Sequence, residues 1–151
     1  MASGKSTLAR ELAEREGAIL VVQDEWLAAL FPGEITSIPE FVQRYSRLQN
    51  VLAAHVCALL LKGISVVLDF AANTRTQRTW FRGLIECAKV EHELPFVDAS
   101  DEVCKRQLRQ RSANLPTGTR WTTEPEFEAV TAYFQPPADD EQFNVVRHER
   151  L

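Results

Sequence analysis

Gly4, Lys5, Ser6 and Thr7 set a flexible backbone position, an ammonium and two hydroxyls side by side near the head of the chain. That order is the closing half of G-x-x-x-x-G-K-[ST], a loop suited to holding phosphates. Glycine lets the backbone curl so that successive N–H groups converge on one anion. Lys5 is then expected on the β- and γ-phosphates and the Ser6 hydroxyl on Mg²⁺. Ser3 and Thr7 flank these residues and complete the expected nucleotide-binding group. The two glycines of the pattern stand five apart, so the first falls two residues before Met1, along with the strand that feeds such a loop. The expectation is a natural chain that starts upstream, its first strand truncated here or its start misassigned; the alternative is another segment filling that strand's place.

Two carboxylates could work beside that loop. Asp69 closes the apolar run Ile64-Ser65-Val66-Val67-Leu68. A carboxylate at such a strand end can hold Mg²⁺ through Ser6 or a water, although capping the following turn is the plainer use. Asp24 follows the apolar run Ala18–Val22 and can take a proton from an acceptor hydroxyl during in-line attack on a γ-phosphate. It suits equally well the N-cap of a helix starting at Trp26. Glu25 is adjacent and should point elsewhere.

Arginines follow. Arg75 and Arg78 stand three apart, so both can reach one side of a helix and grip phosphate or an anionic acceptor; a solvated helix face is the alternative for Arg75. Arg106, Arg109 and Arg111, with Arg120 beyond, surround the polar, Pro- and Gly-containing stretch Ser112–Thr122. A lid over residues 111–123 needs such cations to neutralise charge on a transferred phosphoryl group, and Arg111 is the first choice. For the other two, satisfying a helix dipole serves as well.

The elements that must position these groups alternate. A helix is expected over Thr7–Arg15, stopped by Gly17, then a strand over Ala18–Val22 and a helix from Trp26 to Phe31. A long helix should run over Glu40–Lys62, with Phe41, Tyr45, Leu48, Leu52, Val56, Leu59 and Leu60 at helical spacing. A strand over Ile64–Phe70, a helix over Thr74–Lys89 and a strand over Glu93–Val97 follow. Ser100 caps a helix to about Arg111, Thr123 another to about Phe134, and Phe143–Val146 is the last strand. Strands alternating with helices imply an α/β fold with a parallel, helix-covered sheet, whose ligand side is at the strands' carboxyl ends.

The chain has 151 residues, enough for one domain, and a formal net charge of −4, which argues against general nucleic-acid binding. No apolar run is long enough for a membrane span. Cys57, Cys87 and Cys104 are far apart and lack metal-ligand spacing, so free thiols in a reducing cytoplasm are expected. His55, His92 and His148 form no cluster, and the serines lack a nucleophile elbow. Trp26, Trp80 and the phenylalanines should be core.

Taken together, these stretches resemble small bacterial phosphate-loop ATP-binding proteins of the zeta toxin and gluconate kinase-like group, a group that includes AAA-family ATPases and predicted kinases. The matching residues are Ala2–Ala9, Gln23–Glu25, Val66–Arg78, Val97–Cys104 with Leu108 and Arg111, and Phe134–Pro137 with Glu141. The resemblance implies a kinase-like three-layer α/β/α sandwich, MgATP in the loop and a lid near Arg111. It also implies transfer of the γ-phosphate to a small-molecule hydroxyl, with the acceptor unspecified. Two alternatives stand beside it: a non-catalytic ATP-binding module or switch, and a truncated fragment with impaired nucleotide binding. The chain is too short for an oligomeric AAA+ motor.

Overall fold

Two apolar runs separated by 43 positions pair in parallel, with Ile19 opposite Val66, Leu20 opposite Val67, Val21 opposite Leu68 and Val22 opposite Asp69. These are β1 (Ile19–Val22) and β2 (Val66–Asp69). The computed structural model describes residues 4–100, 102–106, 109, 125, 128 and 131–150. They fall into two compact units, one of residues 6–72 and 77–91 and one of residues 1–5, 73–76 and 92–151.

In the first unit, α1 (Lys5–Glu16) ends at Gly17, whose φ of +60° is open to glycine at little cost. The Gly17 N–H donates to Glu14 O at 3.3 Å and the Ala18 N–H to Ala13 O at 2.8 Å, which turns the chain back into β1. Next come α2 (Gln23–Leu30), α3 (Ile38–Leu61), β2 and α4 (Arg75–Ala88). α3 starts earlier than the spacing of its apolar residues suggests, because Ser37 and Glu40 form a capping box. Ser37 Oγ accepts the Glu40 N–H at 3.4 Å, and Glu40 Oε2 accepts the N–H groups of Ser37 at 3.1 Å and Thr36 at 2.9 Å.

The core of this unit gathers Val21, Leu27, Leu48, Leu52, Val56, Phe70 and Leu84. Each such side chain taken out of water contributes about 1.5–3 kcal/mol. Phe70, the residue after Asp69, is 2% exposed. It stacks on Trp80 at 5.4 Å and meets the edge of Phe81 at 6.3 Å, so aromatic packing fixes the end of β2. Trp80 is core as expected. Trp26 is not: it is 39% exposed, because burial on α2 goes to Gln23 and Leu27.

Cys57 and Cys87 correct the expectation of free thiols. They form a disulfide with their Cα atoms 6.4 Å apart, and Cys104 alone stays reduced and buried. Spacing along the chain could not reveal the pair, which meets only once α3 and α4 pack.

In the second unit, β3 (Leu94–Ala99) and β4 (Val145–Arg150) pair in parallel, from Leu94 opposite Val145 to Ala99 opposite Arg150. β4 runs four residues past the expected Val146. The added residues are polar, and pairing with β3 rather than apolar patterning holds them in place. Arg147 Nη1 lies 3.5 Å from Asp98 Oδ2, and its guanidinium carbon is 5.3 Å from the Phe96 ring centre. Ser100 caps the next helical stretch as expected, its Oγ accepting the Val103 N–H at 3.3 Å. The residues expected to form the lid lie outside the described ones. Among the described residues no helix is long and apolar enough to cross a membrane.

Candidate functional site

Gly4 is buried and has φ +88°, a left-handed backbone that suits glycine. α1 starts on the next residue, two earlier than expected. The N–H groups of Lys5, Ser6 and Thr7 therefore lie in the first turn, at the positive end of the helix dipole. No acidic residue stands in that first turn to neutralise them. Lys5 and Thr7 are exposed and Ser6 is half-buried. Ser3 lies outside the described residues.

The turn at Gly17 leads α1 directly into β1. An ion pair from Arg10 Nη2 to Glu25 Oε1 at 3.0 Å joins α1 to the first turn of α2. It also shows where Glu25, expected only to point elsewhere, is directed: toward α1. The register then matters. Because Val22 pairs with Asp69, the two strands end level, and Asp69 and Asp24 emerge at the same end of the ladder.

The two carboxylates differ in setting. Asp69 is 3% exposed, whereas Asp24 is open to solvent. Asp24 is not a helix cap. α2 starts at Gln23, its N-cap residue is Val22 with φ −107° and ψ 111°, and no side chain caps it. The Asp24 carboxylate is thus left to face outward from the first turn of the helix.

Gln23 is the residue that sequence reasoning passed over. It is 4% exposed, its Oε1 accepts the Ala71 N–H at 3.0 Å, and its Nε2 lies 3.5 Å from Asp24 Oδ1. One amide side chain therefore joins the end of β1, the turn after Asp69 and Asp24. The available signal was an amide placed directly after a wholly apolar strand, where a buried polar group needs partners.

Arg78 is 1% exposed and donates from Nη1 to Ala72 O at 2.9 Å. A buried guanidinium needs such partners. From α4 it braces the turn that carries Ala71 and Ala72.

Arg75 belongs to the second unit and is held there. Nη1 and Nη2 each lie 2.8 Å from an Asp140 carboxylate oxygen, a two-pronged pair between exposed side chains. Asp140 raises the Arg75 pKa, and Arg75 lowers that of Asp140. Gln135 Oε1 accepts the Arg75 N–H at 2.9 Å while the Gln135 N–H donates to Asn73 O at 2.8 Å. Of the other arginines, Arg106 and Arg109 are exposed, and Arg111 and Arg120 lie outside the described residues.

The donors fit a magnesium–phosphate ligand. Mg²⁺ prefers hard oxygen donors and keeps waters and substrate phosphates in its shell, so one hydroxyl and one carboxylate suffice from the protein. Ser6 and the buried Asp69 are a hydroxyl and a carboxylate of those types. Among the described residues no three His, Cys, Asp or Glu side chains form a dedicated metal cage. The helix start at Lys5 offers amide donors and a lysine for the anion.

Comparison with known proteins bears on the family and the fold. A family model described as an AAA domain matches residues 1–137. No curated protein matches. Among solved structures, the "putative kinase" from Chloroflexus aurantiacus J-10-fl superposes with a TM-score of 0.68 at 20% identity, covering 98% of this chain and 79% of that one. At that identity the likeness speaks for the fold, a kinase-like phosphate-loop α/β fold.

Proposed function

The chain belongs to the AAA domain family of phosphate-loop proteins, and from that premise we propose that it binds MgATP and transfers the γ-phosphate to a hydroxyl of a small-molecule acceptor. The observation that carries the reading is the level ending of β1 and β2, which brings Asp24 and Asp69 out together at one end of the ladder. The finer assignment, to the zeta toxin and gluconate kinase-like group acting in the cytoplasm, is part of the same proposal. It rests on the stretch Val66–Arg78.

In this reading Gly4, Lys5, Ser6 and Thr7 bind the phosphates, the first-turn amides by hydrogen bonds and Lys5 by charge. Ser6 and Asp69 are the protein's donors to Mg²⁺. Bound there, the ion supplies charge neutralisation at the phosphates. Asp24, exposed and outward-facing, accepts the proton of the acceptor hydroxyl as its oxygen attacks. Arg78 positions rather than touches: through the Ala72 carbonyl it holds the turn behind Asp69. Ser3 joins the phosphate group and Arg111 neutralises the transferred phosphoryl charge from the segment 111–123; both roles rest on sequence.

The test is a thermal melt with and without MgATP, followed by a phosphotransfer screen over sugars, nucleosides and sugar nucleotides. Binding to the native state raises the midpoint by mass action. Lys5→Ala should remove that rise. A cooperative melt with no response to MgATP overturns the proposal; a response without transfer to any acceptor leaves nucleotide binding and removes the kinase.

A further inference from the structure

The disulfide joins Cys57, in the penultimate turn of α3, to Cys87, in the last turn of α4. Cys57 is 6% exposed, while Cys87 is exposed at the surface. Both line an open groove of about 360 Å³ whose walls include Ala53, Ala54, Thr79 and Gly83. Helical side chains lean toward the helix N-terminus, so each sulfur lies over the turn before its own Cα. Before Cys57 that turn carries Ala53 and Ala54; before Cys87 it carries Gly83 and the buried Leu84, which with Trp80 also lines the groove. A Cβ at Gly83 would meet nothing within 4 Å. At Ala53, Ala54 and Gly83 small residues thus stand where large ones would add cover to the sulfur–sulfur bond.

The bond spans 30 residues. Within that span lie β2 with Asp69, the turn with Ala71 and Ala72, and Arg78. Constraining a loop of this kind restricts the unfolded chain and favours the folded one.

We propose that Cys57 and Cys87 form a reversible thiol–disulfide switch, opened by a small dithiol entering the groove, whose oxidised form steadies the segment bearing Asp69 and Arg78. Its effect on nucleotide rests on the function proposed above; the switch itself does not. The dithiol's thiolate attacks Cys87 Sγ and expels the Cys57 thiolate, which takes up a proton. The second thiol, as thiolate, then attacks the reagent sulfur of the mixed disulfide, releasing Cys87 as a thiolate that is protonated in turn. Two electrons and two protons pass to the protein, and the reagent leaves as a cyclic disulfide. Exposure at Cys87 is what makes the bond labile rather than a fixed staple.

The experiment follows bond opening in native, oxidised protein with dithiothreitol, by mass mapping of the Cys57 and Cys87 peptides. Melts of both redox forms are then recorded with and without MgATP. The bond should open without denaturant, lower the midpoint by roughly 5–10 °C and re-form with oxidised glutathione. Gly83→Leu, which covers the approach, should slow opening at least tenfold and leave the oxidised melt as high or higher. Cys87→Ser should melt like the reduced form under either condition. The switch is overturned if the bond opens only on unfolding, if it never forms with oxidised glutathione, or if Gly83→Leu opens at the same rate. Equal midpoint rises with MgATP in both forms overturn its effect on nucleotide. Melts that differ with redox state while neither form responds to MgATP support the switch and reject the nucleotide reading.

Discussion

Gln23 Oε1 accepts the backbone N–H of Ala71 at 3.0 Å, which ties the first residue of α2 to the turn just past Asp69. The contact fastens the ends of two neighbouring strands by a side chain where the ladder itself has stopped. The same amide reaches Asp24, so the spacing of the two carboxylates depends on a residue that is neither acidic nor exposed.

Replacing Gln23 by alanine should therefore cost more than a surface change. Ala71 would lose its acceptor, and leaving a sheltered N–H unpaired costs about 1–3 kcal/mol. Urea unfolding followed by fluorescence should show a lower midpoint with an unchanged slope. A loss below about 0.5 kcal/mol, the level of an ordinary surface substitution, would mean that Gln23 does not fasten the strand ends.

The carboxylates should separate under mutation. Asp24→Asn is expected to leave the MgATP-induced thermal shift intact while lowering kcat about 10²- to 10⁴-fold, the usual contribution of a positioned base. Asp69→Asn should instead abolish the part of the shift that needs Mg²⁺, read by comparing ATP with magnesium against ATP with a chelator. If Asp24→Asn removes binding and Asp69→Asn does not, the two roles proposed here are reversed.

Ser37 offers a test confined to α3. Its hydroxyl accepts the Glu40 N–H, and removing such a cap costs about 1 kcal/mol, within a range of about 0.5–2. Ser37→Ala should show that loss in a melt. The partner half of the box is pH-sensitive. Hydrogen bonds from the Thr36 backbone first, and then from the Thr36 and Ser37 side chains, hold the Glu40 pKa below its ordinary value of 4.5. A depressed carboxylate contributes stability above the unfolded pKa and loses it as pH falls through the folded one. The difference between the protein and Glu40→Gln should thus be constant above pH 4.5 and shrink as the solution is acidified below it.

Much of the fold could be read from the chain because the signals were local. Apolar runs gave the cores of the four strands among the described residues, and Phe41, Tyr45, Leu48, Leu52 and Val56 gave α3 its buried side. What escaped was set by partners distant in sequence. The last four residues of β4 are polar, and only the ladder with β3 makes them a strand. Cys57 meets Cys87 because two helices pack, which no spacing announces. At the site, Asp24 and Asp69 were visible as acids ending apolar runs, and register then showed that they emerge level. Gln23 drew no notice because glutamine has no chemistry of its own; its one signal was a polar side chain directly after an apolar strand, and its importance comes from the N–H it faces. Arg75 looked like a phosphate grip, and its two-pronged pairing with Asp140, 65 residues on, could not be inferred.

Tyr45 gives a last prediction, at the other end of the pH scale. It packs between Phe41, stacked at 5.7 Å, and Phe70, tilted at 6.4 Å, with its hydroxyl accepting from Gln49 Nε2 at 3.0 Å. Burial among these rings disfavours the phenolate and pushes the pKa from 10.0 up to about 12. The folded protein therefore holds the phenolic proton more tightly than the unfolded chain does. The resulting stability is fully present below pH 10 and is lost as pH rises toward 12. Other groups also titrate there, so the informative quantity is the difference from Tyr45→Phe, which keeps the ring and removes the proton. The midpoint of the native protein should fall more steeply than that of the variant between those two pH values. Parallel curves would mean that the phenol of Tyr45 ionises in the folded protein as readily as in the unfolded chain, and that the ring lies closer to water than its neighbours imply.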